Sequence, residues 1–130
     1  MSDRTLIVAR LKPGGADGVA RLFAESDASE LPRALGVVRR HLYQFHGLYF
    51  HYVEFAGDAR AAVESARGRA DFRRLSDDLQ DYVMAYDPAT WRAPKDAMAE
   101  EFYRWTPEEG PQGPALRGSA PPGAAVRGNG

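Results

Sequence analysis

Residues 39–54 read RRHLYQFHGLYFHYVE and carry the clearest hairpin pattern of the chain. It predicts two strands of β-branched or aromatic residues joined by a tight turn at His46-Gly47. All three histidines of the chain, His41, His46 and His51, lie within it. Because histidine gains and loses a proton near neutral pH, their concentration indicates a site of proton transfer. The aromatic residues between the histidines suit a flat, apolar ligand.

The register of this hairpin follows from the turn. If the turn has an even number of residues centred on His46-Gly47, Leu42 lies opposite His51 and Arg40 lies opposite Val53. Directly opposed residues project from one face of a sheet, so Arg40 and His51 become diagonal neighbours. A turn with an odd number of residues would break this parity. The face shared with Arg40 and His51 then consists of Val38, Arg40, Leu42, Gln44, Tyr49, His51, Val53 and Phe55.

Two interpretations of this pair follow from the residues alone. In one, the Arg40 guanidinium lowers the pKa of a partly desolvated His51, which becomes a neutral base, and Arg40 stabilises an enolate or phenolate oxygen. In the other, His51 is a core or interface histidine and Arg40 pairs with an acid. His41 faces the opposite side of the sheet, so the histidines do not predict a metal site. Asp27, in the loop after the first helix, either caps a turn or orients a histidine and takes a proton.

The remaining pattern predicts the order strand, helix, strand, strand, helix, strand. The first strand covers residues 5–11, and the first helix ends near Glu25. Helical segments follow at 59–66 and after Gly68, a long connection begins at Met84, and the last strand covers 98–105. This order is the ferredoxin-like βαββαβ fold of the α+β class, an antiparallel sheet with helices on one face. The uncovered face of such a sheet predicts a homodimer.

The composition of the chain argues against several classes of protein. The net charge is −1 with acidic and basic residues interleaved, which does not favour nucleic-acid binding. There is no cysteine, no signal-peptide pattern and no apolar run of membrane-spanning length, so we expect a cytoplasmic protein without disulfides. No phosphate-binding glycine motif is present, and we expect no cofactor. Residues 1–106 are predicted to form the folded domain, and the Gly- and Pro-rich residues 107–130 a disordered tail.

Several segments together resemble the small aromatic polyketide cyclases of the tetracenomycin-cyclase type. The resemblance covers about residues 4–106 and is carried in order by ESDASELP at 25–32, GV at 36–37, RR at 39–40, FHGLYFH at 45–51, YDPATW at 86–91 and AMAEEFYRW at 97–105. It implies a dimeric α/β-barrel arrangement, no cofactor, a polyketide intermediate as substrate and type II polyketide synthase components as possible partners.

The implied reaction is closure of a late ring of a poly-β-ketone by intramolecular aldol condensation, with loss of water and aromatisation. The resemblance places the general acid/base at His51, the arginine at Arg40 and the acidic residue at Asp27. Some members carry a histidine where this chain has Ser26, which implies greater reliance on His51 or closure of a different ring. The residues expected to contact the substrate are Phe23, Ser26, Leu42, Tyr49 and Trp91.

Two other functions remain open from the sequence. One is a cofactor-independent monooxygenase of the same fold that converts a polycyclic substrate to a quinone. The other is a non-catalytic partner that steers a synthase complex. Oxygen consumption during turnover distinguishes the first from a cyclase, and full product formation by a His51 variant would favour the second.

Overall fold

A computed structural model of the chain describes residues 3–92 and 94–116. The described residues form two compact units, with the division between Ala99 and Glu100. The elements of the first unit are β1 (Asp3–Leu11), α1 (Ala16–Asp27), α2 (Leu31–Leu35), β2 (Val37–Phe45), β3 (Leu48–Phe55), α3 (Ala59–Ala66), α4 (Ala70–Leu79), β4 (Val83–Ala85) and a 3-10 helix (Pro94–Ala97). The second unit contains β5 (Arg104–Thr106), β6 (Gly110–Gln112) and a 3-10 helix (Pro114–Leu116).

The first unit is built on an antiparallel sheet of four strands. The strand order is β2-β3-β1-β4, which is the order of a ferredoxin-like fold. Asp58 begins α3 as its N-cap, because its carboxylate accepts hydrogen bonds from the backbone N–H groups of Arg60 and Ala61. The expected α+β fold, with an antiparallel sheet and helices on one face, is confirmed by the structural match reported below.

The register predicted for the β2–β3 hairpin is confirmed over most of its length. Leu42 pairs with His51 and Arg40 with Val53, so Arg40 and His51 share the inner face of the sheet. Between Val37 and Arg39 a bulge shifts the register by one residue. The expectation for Val38 was therefore wrong: its side chain is exposed, and Val37 packs into the core instead.

The fourth strand of the sheet differs from the sequence expectation. Residues 83–85 form β4 and pair with the last three residues of β1, whereas the sequence placed Val83 at the end of a helix and began a long connection at Met84. Residues 98–105 do not form a strand of this sheet. Because β4 already occupies that end of the β1 edge, only Met98 bridges to Ile7, and the Ala99 N–H donates to the Leu6 carbonyl.

The segment after α1 is also more ordered than a loop. The helix α1 continues to Asp27, so Ser26 and Asp27 are helical and lie three and four residues after Phe23, on one face of α1. The short helix α2 follows, with Pro32 in its first turn, where proline favours helix initiation. It ends at Gly36, whose φ of 77° is the left-handed conformation that glycine adopts most readily.

Part of the segment predicted to be disordered is folded in the structure. Residues 104–106 and 110–112 pair as β5 and β6 across a turn that contains Gly110 at φ 70°. Glycine and proline mark tight turns as well as disorder, and composition alone does not separate the two. Residues 117–130 of the predicted tail lie outside the described residues.

The core of the first unit consists of two clusters that line the inner face of the sheet at different positions. Phe72 packs against the cluster of Val53, Phe55, Ala59 and Val63. Leu75 and Leu79 pack against the other cluster, formed by Ala9, Val19, Phe23 and Tyr49. The helix α4 therefore contacts both clusters and spans the interval between them.

Gly18 allows α1 to approach the residue that follows α4. A Cβ atom added at Gly18 would lie 2.3 Å from atoms of the Tyr82 ring. Such a distance is far inside van der Waals contact, so the glycine is required for the close packing of Tyr82 on α1.

We expect Gly18→Ala to lower the free energy of unfolding by about 1–3 kcal/mol, because the clash with Tyr82 outweighs the higher helix propensity of alanine. Urea unfolding followed by circular dichroism measures this. Gly68→Ala is the control, since its Cβ would meet nothing within 4 Å. Equal stability of the two variants would show that Tyr82 moves aside at no cost.

Candidate active site

A cavity of about 540 Å³ lies between the inner face of the sheet and the helices of the first unit. This volume falls within the range of small-molecule binding pockets. Its wall is mostly apolar and includes residues of both core clusters, among them Phe23, Val53, Phe55 and Leu79. The polar side chains of the wall are few: Ser26, Arg40, Tyr49, His51, Ser76 and Gln80.

The centre of the sheet wall carries a hydrogen-bonded pair. Nη1 of Arg40 lies 2.9 Å from Nε2 of His51, and His51 is only 6% exposed. A guanidinium can only donate, so Nε2 accepts, and the ring proton of a neutral His51 resides on Nδ1. The contact thereby fixes the tautomer of the imidazole.

Asp27 holds Arg40 from the side opposite to His51. Nη2 of Arg40 donates to Oδ1 of Asp27 over 2.6 Å, and Nε donates to Oδ2 over 3.0 Å. This two-point contact matches the planar fork of a guanidinium and fixes its orientation. The Arg40 side chain is 13% exposed and that of Asp27 is 41% exposed, so the carboxylate lies on the solvent side of the pair.

Phe23 packs against both members of the central pair. Its ring meets the His51 imidazole edge-on, with centroids 4.9 Å apart, and the Arg40 guanidinium carbon lies 4.6 Å from its centroid. The contact with Arg40 is a cation–π arrangement. Phe23 and Asp27 are four residues apart on α1, and so one helix both shields the pair and anchors it.

Burial sets the protonation state of the two titratable groups on β3. Desolvation, assisted by the Arg40 charge, lowers the pKa of His51 to about 3, and the imidazole is neutral at physiological pH. Desolvation raises the pKa of the Tyr49 hydroxyl, against a smaller opposing effect of Arg40, and the phenol stays protonated. The site thus offers a neutral imidazole and a neutral phenol beside a permanent cation.

The structure brings together most of the residues singled out by sequence. Phe23, Ser26, Arg40, Tyr49, His51 and Trp91 all line the cavity. Leu42 instead packs against the cluster of Ala9 and Val19 and does not line the cavity. Asp27 also stays outside the wall and contacts Arg40 from behind. His41 stacks with Tyr43 on the other face of the sheet, and His46 occupies the turn at φ 49°.

Sequence reasoning missed the contribution of α4. Ser76 on α4 and Gln80, the residue that follows the helix, interrupt the apolar wall with polar groups. Both positions adjoin the apolar stripe of Phe72, Leu75 and Leu79, which predicted the buried side of this helix. The position of these polar residues next to the apolar stripe was the feature of the sequence from which their place in the wall could have been predicted.

The described residues contain neither a metal-binding cluster nor a membrane-spanning helix. In the part of the chain that the structure describes, no three His, Cys, Asp or Glu side chains cluster in a way that suits a metal ion. No helix among residues 3–92 and 94–116 has the length and apolar character needed to cross a membrane.

Fold and cavity define a small ferredoxin-like protein with a largely apolar cavity and a hydrogen-bonded arginine–histidine pair in its wall. A family model described as polyketide synthesis cyclase matches residues 3–106. The chain belongs to this family, and the resemblance drawn from its sequence is confirmed. The members of this family are enzymes, the polyketide cyclases.

Individual relatives cover nearly the same region. Tetracenomycin F2 cyclase of Streptomyces glaucescens is 40% identical over 106 residues, which are 82% of this chain and 96% of the relative. An uncharacterized protein of Streptomyces coelicolor is 53% identical over 102 residues, or 78% of this chain and 92% of the relative. The polyketide synthase CurG of Streptomyces cyaneus is 41% identical over 100 residues, which are 77% of this chain and 94% of the relative.

Solved structures give the same result. The structure of tetracenomycin F2 cyclase from Streptomyces glaucescens, a type II polyketide cyclase, matches with a TM-score of 0.74 at 39% identity and covers 80% of this chain and 97% of that one. A Chloroflexus aurantiacus protein assigned as an antibiotic biosynthesis monooxygenase matches with a TM-score of 0.50 at 13% identity, over 67% and 86% of the chains. The second likeness shows the fold alone.

The depressed pKa of His51 makes stability depend on pH. In the unfolded chain a histidine binds a proton below about pH 6.5, whereas the folded protein resists protonation of His51 down to about pH 3. Between these values the unfolded state binds more protons, so stability falls as the pH is lowered, by about 1 kcal/mol per pH unit from this group.

We expect His51→Gln to reduce this loss, because the amide oxygen can accept from Arg40 and does not titrate. Urea unfolding of both proteins at pH 7 and pH 4.5 measures the difference in slope. His46→Asn serves as the control, since His46 lies at the exposed turn. Parallel pH profiles for His51→Gln and the unsubstituted protein would show that His51 titrates normally when folded.

Proposed function

We propose that the protein closes a late ring of a poly-β-ketone intermediate by intramolecular aldol condensation, with loss of water and aromatisation, in a type II polyketide pathway. One observation carries this proposal: a neutral His51 hydrogen-bonded to a fixed Arg40 at the centre of a mostly apolar cavity. Aldol closure needs a base for a proton α to a carbonyl and a cation for the resulting enolate. The named activity of the Streptomyces glaucescens relative supports it.

The resting hydrogen bond suggests how the pair begins the reaction. A substrate carbonyl oxygen that accepts the Arg40 N–H takes the place of Nε2 and frees its lone pair. The imidazole then removes the α-proton, and the electron pair left on carbon delocalises to the carbonyl oxygen as an enolate. Arg40 stabilises that charge in a site of low polarity, where electrostatic interactions are strong.

The later steps return the proton. The enolate carbon attacks a second carbonyl of the same chain, which forms the new carbon–carbon bond and an alkoxide. The imidazolium formed in the first step protonates the alkoxide to a hydroxyl, which returns His51 to its neutral resting form. Elimination of that hydroxyl with a neighbouring proton releases water and gives the aromatic ring. All steps are acid–base chemistry, for which the protein requires no cofactor.

The role of Asp27 in this scheme is to position Arg40. Both carboxylate oxygens are engaged by the guanidinium, and the residue lies outside the cavity wall. Asp27 also offsets the charge of a cation that is mostly withdrawn from water. We therefore assign proton transfer to His51 and charge stabilisation to Arg40.

The cavity wall supplies the other requirement of the reaction, which is folding of a flexible chain. Phe23 and Trp91 offer aromatic surface, and Ser26 and Tyr49 polar contacts, around the central pair. Holding two reacting carbons together removes a large part of the entropic barrier. Leu42 supports the wall from the core side. We propose that residues 1–106 contain all of this machinery.

We expect His51→Ala and Arg40→Ala each to lower ring closure by about 10²-fold or more, the usual effect of removing an acid–base or oxyanion group. Asp27→Asn should lose less, because the amide retains one acceptor for Arg40. Turnover of a partly cyclised polyketide intermediate, followed by product mass, measures these rates. His46→Asn is the matched control and should react normally.

The same assay separates the alternatives. Loss of one water without oxygen consumption supports the cyclase, whereas oxygen uptake and a quinone product would establish a monooxygenase. Near-normal ring closure by both His51→Ala and Arg40→Ala would contradict the proposed site and favour a non-catalytic partner of the synthase.

We further propose that the protein acts as a homodimer, paired through the outer face of the sheet. Tyr43 and Phe45 are 57% and 62% exposed on β2, and Leu6 and Val38 are also exposed. Alternation along the strands places Tyr43, Phe45 and Leu6 on the face opposite to the cavity, and the bulge adds Val38. An apolar surface of this kind on a sheet is typical of a protein–protein contact.

We expect Phe45→Glu to shift the protein to monomers, because it places a charge in the apolar contact. Light scattering after size-exclusion chromatography measures the mass. Ala20→Glu, at an exposed position of α1, is the control and should leave the dimer intact. A monomeric unsubstituted protein at micromolar concentration would contradict the proposal.

A further inference from the structure

Tyr49 is a buried residue whose hydroxyl has no partner among the described residues. The residue is 5% exposed and lines the wall beside His51 on β3. Its ring contacts the His51 ring, with centroids 6.2 Å apart. Within the described part of the chain, no residue accepts or donates a hydrogen bond at the Tyr49 hydroxyl. Among the described residues the Tyr49 oxygen is not a fully buried unsatisfied atom, so it borders the open space of the cavity, where an oxygen atom of a ligand can become its partner.

Ser76 presents a second hydroxyl from α4. It is half-buried and lies between Phe72 and Leu79, both of which line the same cavity. A serine inside a helix commonly donates to the carbonyl four residues earlier, here that of Phe72. That bond is not formed, and no other described residue is hydrogen-bonded to the Ser76 side chain.

The packing of α4 places these two hydroxyls on facing walls. Leu75 and Leu79 pack against the core cluster that contains Tyr49, and Phe72 packs against the cluster that contains Val53. On β3, His51 lies between Tyr49 and Val53. Ser76 therefore lies across the cavity from the stretch of β3 that carries Tyr49 and His51.

We infer that Tyr49 and Ser76 form two hydrogen-bonding subsites for oxygen atoms on opposite edges of a flat, polyoxygenated ligand, and that they set its position relative to His51. The substrate class rests on the proposed function, since a poly-β-ketone carries an oxygen on alternate carbons. The placement of the hydroxyls rests on the cavity alone.

The chemistry of the two groups suits this role. Burial raises the pKa of Tyr49, so its hydroxyl remains a donor at physiological pH, and a carbonyl oxygen is a matching acceptor. Serine both donates and accepts and can serve a hydroxyl or a carbonyl. A wall that is otherwise apolar discriminates by such groups, because an analogue without the oxygen leaves them unpaired.

The test uses two flat probes of the same ring size. In the full chain, 2,6-dihydroxynaphthalene carries an oxygen on opposite edges, and naphthalene carries none. We expect Tyr49→Phe and Ser76→Ala each to weaken binding of dihydroxynaphthalene by about threefold to tenfold, the range of one neutral hydrogen bond, and to leave naphthalene unaffected. Fluorescence titration measures both affinities.

Thermal unfolding of the ligand-free variants separates recognition from a structural role. Both substitutions remove a hydroxyl without a protein partner, so the melting temperature should stay the same or rise. Tyr86→Phe and Ser65→Ala make the same changes at exposed positions outside the cavity and should alter neither affinity. A lowered melting temperature together with equal losses for both probes would assign Tyr49 and Ser76 to packing.

Two further outcomes would overturn the inference. One is equal affinity of the unsubstituted protein for the two probes, or no binding of dihydroxynaphthalene. The other is unchanged discrimination in both cavity variants. The proposed reaction is tested separately by His51→Ala, so oxygen recognition that persists in a protein without cyclase activity would overturn the reaction and leave the subsites standing.

Discussion

The site depends on the guanidinium of Arg40, which is bonded on one edge to Asp27 and on another to Nε2 of His51. A cation withdrawn from water is costly unless it is paired, and Asp27 offsets that cost while leaving one N–H for the histidine. The same contact ties α1 to β2 and β3 and fixes the histidine tautomer, and the Arg40 charge adds to the burial of His51 in keeping the imidazole neutral. One residue thus sets the geometry and the electrostatics of the cavity centre.

The cavity is bordered by both clusters of the hydrophobic core. A chain of this size usually packs one continuous core between sheet and helices, whereas here two clusters line a shared space. Leaving that space unfilled reduces the dispersion contacts available to the folded state. A bound ligand with a large flat apolar surface would restore them, which links binding to stability. The proposed substrate would therefore fill space that the side chains of the core leave open.

Local patterns explain which parts of the fold were predictable. The hairpin register followed from a two-residue turn and the period of two along a strand, and it holds from Phe45 back to Arg39. The predicted register was wrong at Val38, because a β-bulge adds a residue to β2 there and no feature of the sequence indicates the bulge. The strand β4 has three residues, too few for periodicity to show, and the bulky residues 98–105 drew the prediction away from it.

The family, the order of elements up to the last strand of the sheet, and the adjacency of Arg40 and His51 could be read from the sequence, because each depends on local patterns or on a two-strand register. The folded structure was needed to show that Asp27 reaches Arg40, that Leu42 stays outside the cavity, that residues 83–85 form the last strand of the sheet, and that α4 sets Ser76 opposite β3. These facts depend on how helices seat on the sheet, and that is set by the packing of many side chains at once. No periodicity of a single segment encodes it.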